Sequence, residues 1–333
     1  MLIPAKAFKP LSILFFVLVG AVLAVAISIL WFPKIPSDFS RTNRLLQFLG
    51  NETPTNSTLV FGNSIIMDGF DAKLFASKSC NASSYNLSSP GQNQLESLLL
   101  ISAISKPTKR VVQFYNSTDL ESQDFLSHQV IQNFLLFGYQ PTDFVLQTLG
   151  ITNNASSTDL FKQNKVKLGF DSRWLLTNYI NTNFRKLLRN DLTLDHISTE
   201  LYYPRNYTSR FPDEQRIPLI KQFNPQKPKT DFNFNPIKLE VIKRIAEKLS
   251  KNNIEYVVVF SPINPDLGNY TDRYLALIDS FALAQKIPNT IFINLSQLLE
   301  KDDFVDHFHP STSGAQKITQ ELAKTLNECS SKQ

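Results

Sequence analysis

Thr58-Leu59-Val60-Phe61-Gly62-Asn63-Ser64, continued by Ile65-Ile66-Met67-Asp68-Gly69-Phe70-Asp71, is the stretch around which the rest of the chain is read. Residues 58–61 form a short, largely apolar run of β-formers, the pattern of a strand buried on both faces in a parallel sheet. The run ends at Gly62, a residue that accepts the backbone angles of an abrupt turn. Ser64 follows at once. Ligands of open α/β sheets bind at the carboxyl ends of the strands, so this order predicts a hydroxyl at the mouth of such a sheet. A Gly-x-Ser turn alone is a weak signal. Its partner lies at the far end of the chain, in Asp306-His307-Phe308-His309-Pro310.

Outward from Ser64, strand and helix alternate. Asp71 suits the N-cap of a helix over 72–77. A short strand at 84–87, the turn Ser88-Ser89-Pro90-Gly91-Gln92-Asn93, an apolar helix at 94–104 and a strand at 110–115 follow, the last ending at Asn116. The alternation resumes with a helix over 237–252 that has Pro236 at its first position. A buried strand at 254–260, a helix at about 272–286, a fifth strand at 290–294 and a last helix at 311–327 complete it. Five strands joined by helical crossovers predict a doubly wound parallel α/β sheet. Asp68 reads as a turn residue, and Asp302 and Asp303 as solvated loop charges. Between about 120 and 235 the alternation is lost. Phe, Leu, Trp and Tyr recur at helical spacing over 134–144 and 174–188, ahead of a loop at 223–229. This reads as a largely helical insertion that walls or lids the site, its aromatics serving packing.

The chain has 333 residues, 42% of them hydrophobic, a formal net charge of +5 and two cysteines. That length accommodates one large α/β domain with an insertion. The mild basicity suits ordinary solvated lysines, or a neighbour that is anionic lipid or polymer. No basic-aromatic stripe, zinc-ligand spacing or P-loop is present, so nucleic-acid, metal and nucleotide chemistry are not indicated and no cofactor is expected. Cys80 and Cys329 are too few for a disulfide scaffold and are open to one bond or to two thiols.

Residues 11–32 are 22 residues without a charge. As a helix they would extend roughly 33 Å, against about 30 Å of bilayer hydrocarbon. Trp31 fits an interfacial position. A transmembrane anchor in contact with membrane lipid is expected. A cleaved signal peptide, with Ala24-Val25-Ala26 as the processing site, is the competing reading. Lys6 and Lys9 on one side balance Lys34, Arg41 and Arg44 on the other, so charge leaves orientation open; the chemistry below favours an extracytoplasmic domain. Asn-x-Ser/Thr sequons begin at Asn51, Asn56, Asn81, Asn86, Asn116, Asn154, Asn206, Asn269 and Asn294. Several fall in expected strands, which favours chance over glycosylation.

Nucleophilic acyl transfer needs a hydroxyl, an imidazole to take its proton, a carboxylate to orient the imidazole, and donors for the oxyanion. The four histidines are His128, His196, His307 and His309. The first two fall in the insertion. The other two read as lying immediately after the fifth strand and before the last helix, on a carboxyl-end loop at the same edge of the sheet as Ser64. Asp306 lies three residues before His309, a spacing that lets a tight turn bring carboxylate to imidazole.

These features resemble the SGNH (GDSL-like) hydrolase superfamily. The resemblance is carried by Gly62-Asn63-Ser64, by Gly91 in Asn86-Leu87-Ser88-Ser89-Pro90-Gly91, and by Asp306-His307-Phe308-His309-Pro310. It covers about 57–119 and 236–327. It implies a flavodoxin-like α/β/α sandwich and a metal-free serine esterase, lipase or acyltransferase. In that scheme Ser64 is the nucleophile, His309 the base and Asp306 its orienter. The N–H groups of Ser64 and Gly91 are then the oxyanion donors. Two departures stand out. Asn63 replaces the usual Asp before the nucleophile, as in some membrane-tethered relatives that acylate envelope polymers. Phe114 stands where the third block has Gly, although Asn116 still ends its strand and can reach the oxyanion. Asn93 is a second candidate donor, its alternative role being to start a helix.

The resulting organisation is a flank at 1–10, an anchor at 11–32, a polar connector at 33–56 with one amphipathic stretch at 44–49, the α/β domain, the insertion at 120–235 and a tail at 328–333. The expected function is a membrane-anchored serine esterase or O-acyltransferase working through an acyl-Ser64 intermediate on an envelope glycan or lipid-linked polymer. The alternative is a non-catalytic envelope scaffold or polymer-binding protein of the same fold.

Overall fold

Five strands pair as one parallel sheet in the order β2-β1-β3-β4-β5. They are β1 (Thr58–Phe61), β2 (Ser84–Asn86), β3 (Arg110–Tyr115), β4 (Glu255–Phe260) and β5 (Thr290–Asn294). The computed structural model describes residues 13–23, 38–79, 83–116, 119–120, 126–152, 159, 161–165, 199–206, 210–223, 236–284 and 287–326. Cys80, Cys329, the stretch 174–188 and half of the apolar run 11–32 lie outside them.

The apolar runs are explained by burial on both faces. In β1, Leu59 and Phe61 enter one core and Val60 the other. In β4, Tyr256, Val258 and Phe260 oppose Val257 and Val259 in the same way. The first core is closed by α4 (Gln94–Ser102), α8 (Pro236–Lys251) and α9 (Asn269–Ala284). The second is closed by α2 (Ser64–Gly69), α3 (Ala72–Lys78) and α10 (Thr312–Thr325). The chain leaves β1 toward β2 on one side and later returns toward β3, β4 and β5 on the other. With right-handed crossovers that reversal sends the helices to opposite faces. It also makes the gap beyond the carboxyl ends of β1 and β3 the switch point where such sheets bind ligands.

Two expectations are corrected. Residues 65–69, including Asp68, form helix α2 rather than a turn. Asn63 starts that helix, its side chain accepting the Ile65 N–H. The stretch 38–52 is part of the domain rather than a connector. Helix α1 (Asp38–Gln47) runs into a π-helical turn at Phe48–Glu52, and Leu45, Leu46, Phe48 and Leu49 are buried in the first core. Fully buried Arg41 donates to the carbonyls of Asn86 (3.0 Å), Ser88 (2.7 Å) and Glu200 (3.0 Å). Burial pulls its guanidinium down to about 9, with Glu200 opposing, so it stays charged at neutral pH.

None of the insertion's described helices, α5 (His128–Leu136), α6 (Asp143–Thr152) and α7 (Asp213–Phe223), lines the cavity at Ser64, and residues 166–198 and 224–235 lie outside the described residues. Ile131, Phe134, Val145 and Leu149 pack into the first core instead. Residues 199–206 run along the β2 edge, where the Asn86 N–H donates to the Leu201 carbonyl at 2.7 Å and the Ala72 N–H to the Tyr202 carbonyl at 2.9 Å.

Residues 13–23 are an exposed apolar helix. No helix among the described residues is long and apolar enough to cross a membrane. Among the sequons, the one at Asn86 belongs to a fully buried side chain. Its Nδ2 donates to the carbonyls of Ile66 (3.0 Å) and Phe70 (2.8 Å), and its Oδ1 accepts the Ser88 N–H.

Candidate active site

Ser64 is the first residue of α2, directly beyond β1. Gly62 is required there for space: a Cβ would come within 2.9 Å of the Ile66 Cβ, so the first turn of the helix can fold back over the strand end only if position 62 has no side chain. Asn86, at the end of β2, holds the far end of α2 through its two bonds to Ile66 and Phe70.

His309 is delivered by a loop that closes on itself. Phe304 and Pro310 form an antiparallel bridge, the Val305 N–H donates to the His309 carbonyl at 2.9 Å, and the Ser311 N–H to the Asp303 carbonyl at 2.7 Å. Residues 295–302 separate this loop from β5, so the histidines do not follow the strand directly. Inside the loop Asp306 Oδ1 accepts the N–H groups of Phe308 and His309, both at 2.7 Å, and Oδ2 meets His309 Nδ1 at 2.7 Å. Burial works against the Asp306 charge, but the bond to His309, its charge and the two backbone N–H groups outweigh it, holding the carboxyl down at about 2.

The two segments meet across the sheet mouth. His309 Nε2 stands 3.0 Å from Ser64 Oγ, with Nδ1 on Asp306, so the serine, imidazole and carboxylate form one continuous chain. His307 does not join it. Its ring packs on Phe308, its Nδ1 stays 3.9 Å from Asp306 Oδ1, and burial lowers its pKa against the opposing charge of Asp306, so it keeps its neutral form to lower pH than an ordinary histidine.

The chain opens into a cavity of about 210 Å³ lined by Asn63, Ser64, Ile65 and His309, by Asn116 beyond β3, by Pro262 and Ile263 beyond β4, and by Tyr270, Tyr274 and Phe308. Asn116 is pinned by a reciprocal pair: its N–H donates to Asp119 Oδ2 at 2.9 Å and its Oδ1 accepts the Asp119 N–H at 3.0 Å. Tyr274 donates its hydroxyl to the Tyr115 carbonyl at 2.8 Å. Gly91 lies outside the lining residues, exposed in a turn with φ of 65°. Asn93 caps α4, accepting the Glu96 N–H at 3.0 Å, and so fills its structural role.

The residue missed in the sequence is Asp68. It is fully buried on α2, with Oδ2 4.0 Å from His309 Nε2 and Oδ1 3.6 Å from Arg205 Nε. Recognising 64–69 as a helix capped by Asn63 would have revealed it, because i and i+4 share a helix face. Nothing around Arg205 in the sequence points to the site.

No family model matches the chain, and no curated protein matches it. The solved structures similar to the chain include two at 10% identity. One is a Streptococcus pneumonia protein described provisionally as a platelet activating factor, with 10% identity, 92% of this chain and 99% of that one covered, and a TM-score of 0.40. The other is a family two carbohydrate esterase from Clostridium thermocellum in complex with cellohexaose, with 10% identity, 83% and 66% covered, and a TM-score of 0.30. At scores this low neither likeness bears on the chemistry of this chain.

Proposed function

We propose that this protein is a serine ester hydrolase or O-acyltransferase that works through an acyl-Ser64 intermediate. The observation that carries the reading is the Ser64–His309–Asp306 chain, with 3.0 and 2.7 Å contacts, opening into a cavity at the sheet's switch point. As an ester carbonyl is attacked by Ser64 Oγ, the hydroxyl proton passes to His309 Nε2, and Asp306 steadies the imidazolium through Nδ1. The same proton then goes from Nε2 to the departing alkoxide, leaving the acyl group on Ser64. Water or an acceptor hydroxyl attacks next, its proton passing to Nε2 and on to Ser64 Oγ. Hydrolysis and transfer differ only in that acceptor. The Ser64 N–H, at a helix start where no intrahelical carbonyl faces it, and the Asn116 amide are the donors for the oxyanion.

At about 210 Å³ the cavity is smaller than the roughly 300–1,000 Å³ pockets that enclose a drug-sized ligand. Its walls of Ile65, Pro262, Ile263 and Phe308 suit a short acyl group, with the bulk of the alcohol partner outside. The apolar run 11–32 favours a membrane tether, and with it an extracytoplasmic domain acting on an envelope glycan or lipid-linked polymer.

Treatment of the full chain with a fluorophosphonate reagent tests this. Labelling of the wild type that is lost in Ser64→Ala and His309→Ala is the expected result. A folded wild type that never labels overturns the enzyme and leaves the non-catalytic scaffold. Protease accessibility of the domain in intact cells tests the orientation.

A further inference from the structure

The reacting imidazole has a carboxylate near each nitrogen, and the triad uses only one of them. Asp306 takes Nδ1. Near Nε2, the nitrogen that faces Ser64, lies Asp68, without solvent exposure and one helical turn after the nucleophile. We propose that Asp68, balanced by Arg205, is a positioning residue that stabilises the protonated form of His309 from its Nε2 side. This rests on the reading of Ser64 as nucleophile and His309 as base.

At 4.0 Å the Asp68 oxygen is beyond hydrogen-bond reach of Nε2, whereas Ser64 Oγ is at 3.0 Å. The Nε2 proton therefore stays directed at the serine and the reacting oxygens, and Asp68 acts through its field. That field is strong because the carboxylate is shielded from water. It favours the imidazolium, which forms once in acylation and once in deacylation. Unopposed, a buried carboxylate so close would hold the imidazole protonated and useless as a base, or would itself take up a proton. Arg205 Nε, 3.6 Å from the other Asp68 oxygen, counters both outcomes.

The remaining groups around His309 fit this arrangement. The 303–311 loop contributes Asp306 on Nδ1 and the neutral His307. The 199–206 segment contributes Arg205 and Tyr203; burial, then the charges of Asp68 and Asp71, push the Tyr203 phenol up, so it is uncharged. Helix α9 presents Tyr270 and Tyr274, and the loop after β4 presents Pro262 and Ile263. Among the described residues, Asp68 is thus the carboxylate placed on the Nε2 side and Arg205 the guanidinium paired with it.

The test compares Asp68→Asn and Arg205→Gln in the full chain. One measurement is the pH dependence of kcat/KM on p-nitrophenyl acetate. The other is the NMR titration of the His309 ring in a Ser64→Ala background. In Asp68→Asn, loss of the carboxylate beside a retained guanidinium moves the acid limb and the ring titration down by about one pH unit. Over the same comparison kcat drops about tenfold and KM holds. In Arg205→Gln both move up. A folded Asp68→Asn whose limb and titration stay at the wild-type positions overturns the proposal. If Asp68→Asn does not fold, an unmoved titration in Arg205→Gln overturns it. The ring titration reads the field of Asp68 whether or not Ser64 reacts, so a wild type that fails to label refutes the nucleophile without touching this test.

Discussion

The two segments that meet at the Ser64–His309 contact are built in opposite ways. The 303–311 loop supplies its own geometry: Asp306 receives the Phe308 and His309 N–H groups and the His309 ring, and Val305 and Ser311 close the backbone around it. Helix α2 is held from outside. Asn86 grips it from β2, Gly62 makes room for Ile66, and Arg205 reaches Asp68 from the insertion. One half of the site is therefore a local motif that survives wherever its few residues survive. The other depends on residues scattered over some 140 positions.

The sharpest way to break this contrast is Asp306→Asn. The amide keeps the shape of the loop but reverses the preference at Nδ1, and kcat is expected to fall about 10⁴-fold. The protein should remain folded, because α2 takes nothing from the carboxylate. A hydrolysis assay beside a thermal melt checks both halves of that statement. Asn116→Ala comes next. Removing one oxyanion donor typically lowers kcat by about 10²–10³-fold, and here KM should change little. A loss below tenfold would mean that the Asn116 amide does not face the reacting oxygen, leaving the Ser64 N–H to act without it.

The same contrast explains what could be read in the sequence. Strands β1 and β4 were legible because burial on both faces leaves apolar runs, and β3 and the edge strand β5 because their β-branched and aromatic residues cluster, although Gln113 interrupts the first and Ile291 of the second stays exposed. The Asp306–His309 pair was legible because three residues of spacing already contain its geometry. Asp68 was not, since a six-residue helix leaves little periodic pattern and the Gly69-Phe70-Asp71 that follows it resembles a turn. Arg205 was invisible because its partner is 137 positions away, and only the fold brings the 199–206 segment against α2. Arg41 was counted with the charges flanking the apolar run, yet it is buried against three carbonyls. A lone Arg in a polar stretch gives no sign of where it will be buried.

Asn86→Ala tests the dependence of α2 on its neighbours. It removes three buried bonds and leaves the Ile66 and Phe70 carbonyls and the Ser88 N–H short of a partner, a change expected to destabilise the fold by about 3 kcal/mol. Denaturant unfolding measures that loss. Fluorophosphonate labelling of the folded fraction should slow as well, because Ser64 moves with the helix. Equal slowing without any loss of stability would show that Asn86 acts on the site directly, and the external-support account of α2 would fail.

The smallest effect belongs to the self-contained loop and concerns acid. Asp306 is held at about 2 in the folded protein, against 3.8 for the free side chain. A carboxyl whose pKa is lower in the folded state gives stability that is fully present above the unfolded value. That stability disappears as pH falls through the folded value, because the unfolded chain binds the proton first. The contribution is about 2 kcal/mol and fades between roughly pH 4 and pH 2. His309→Ala removes the largest of the interactions that hold the carboxyl down while sparing the backbone N–H groups, so it should recover only part of the shift. Unfolding free energies of the two proteins at pH 5 and pH 2.5 should therefore differ less at the lower pH. If the gap is the same at both, the loop's internal bonds do not hold the carboxylate charge, and the autonomy claimed for this half of the site is lost.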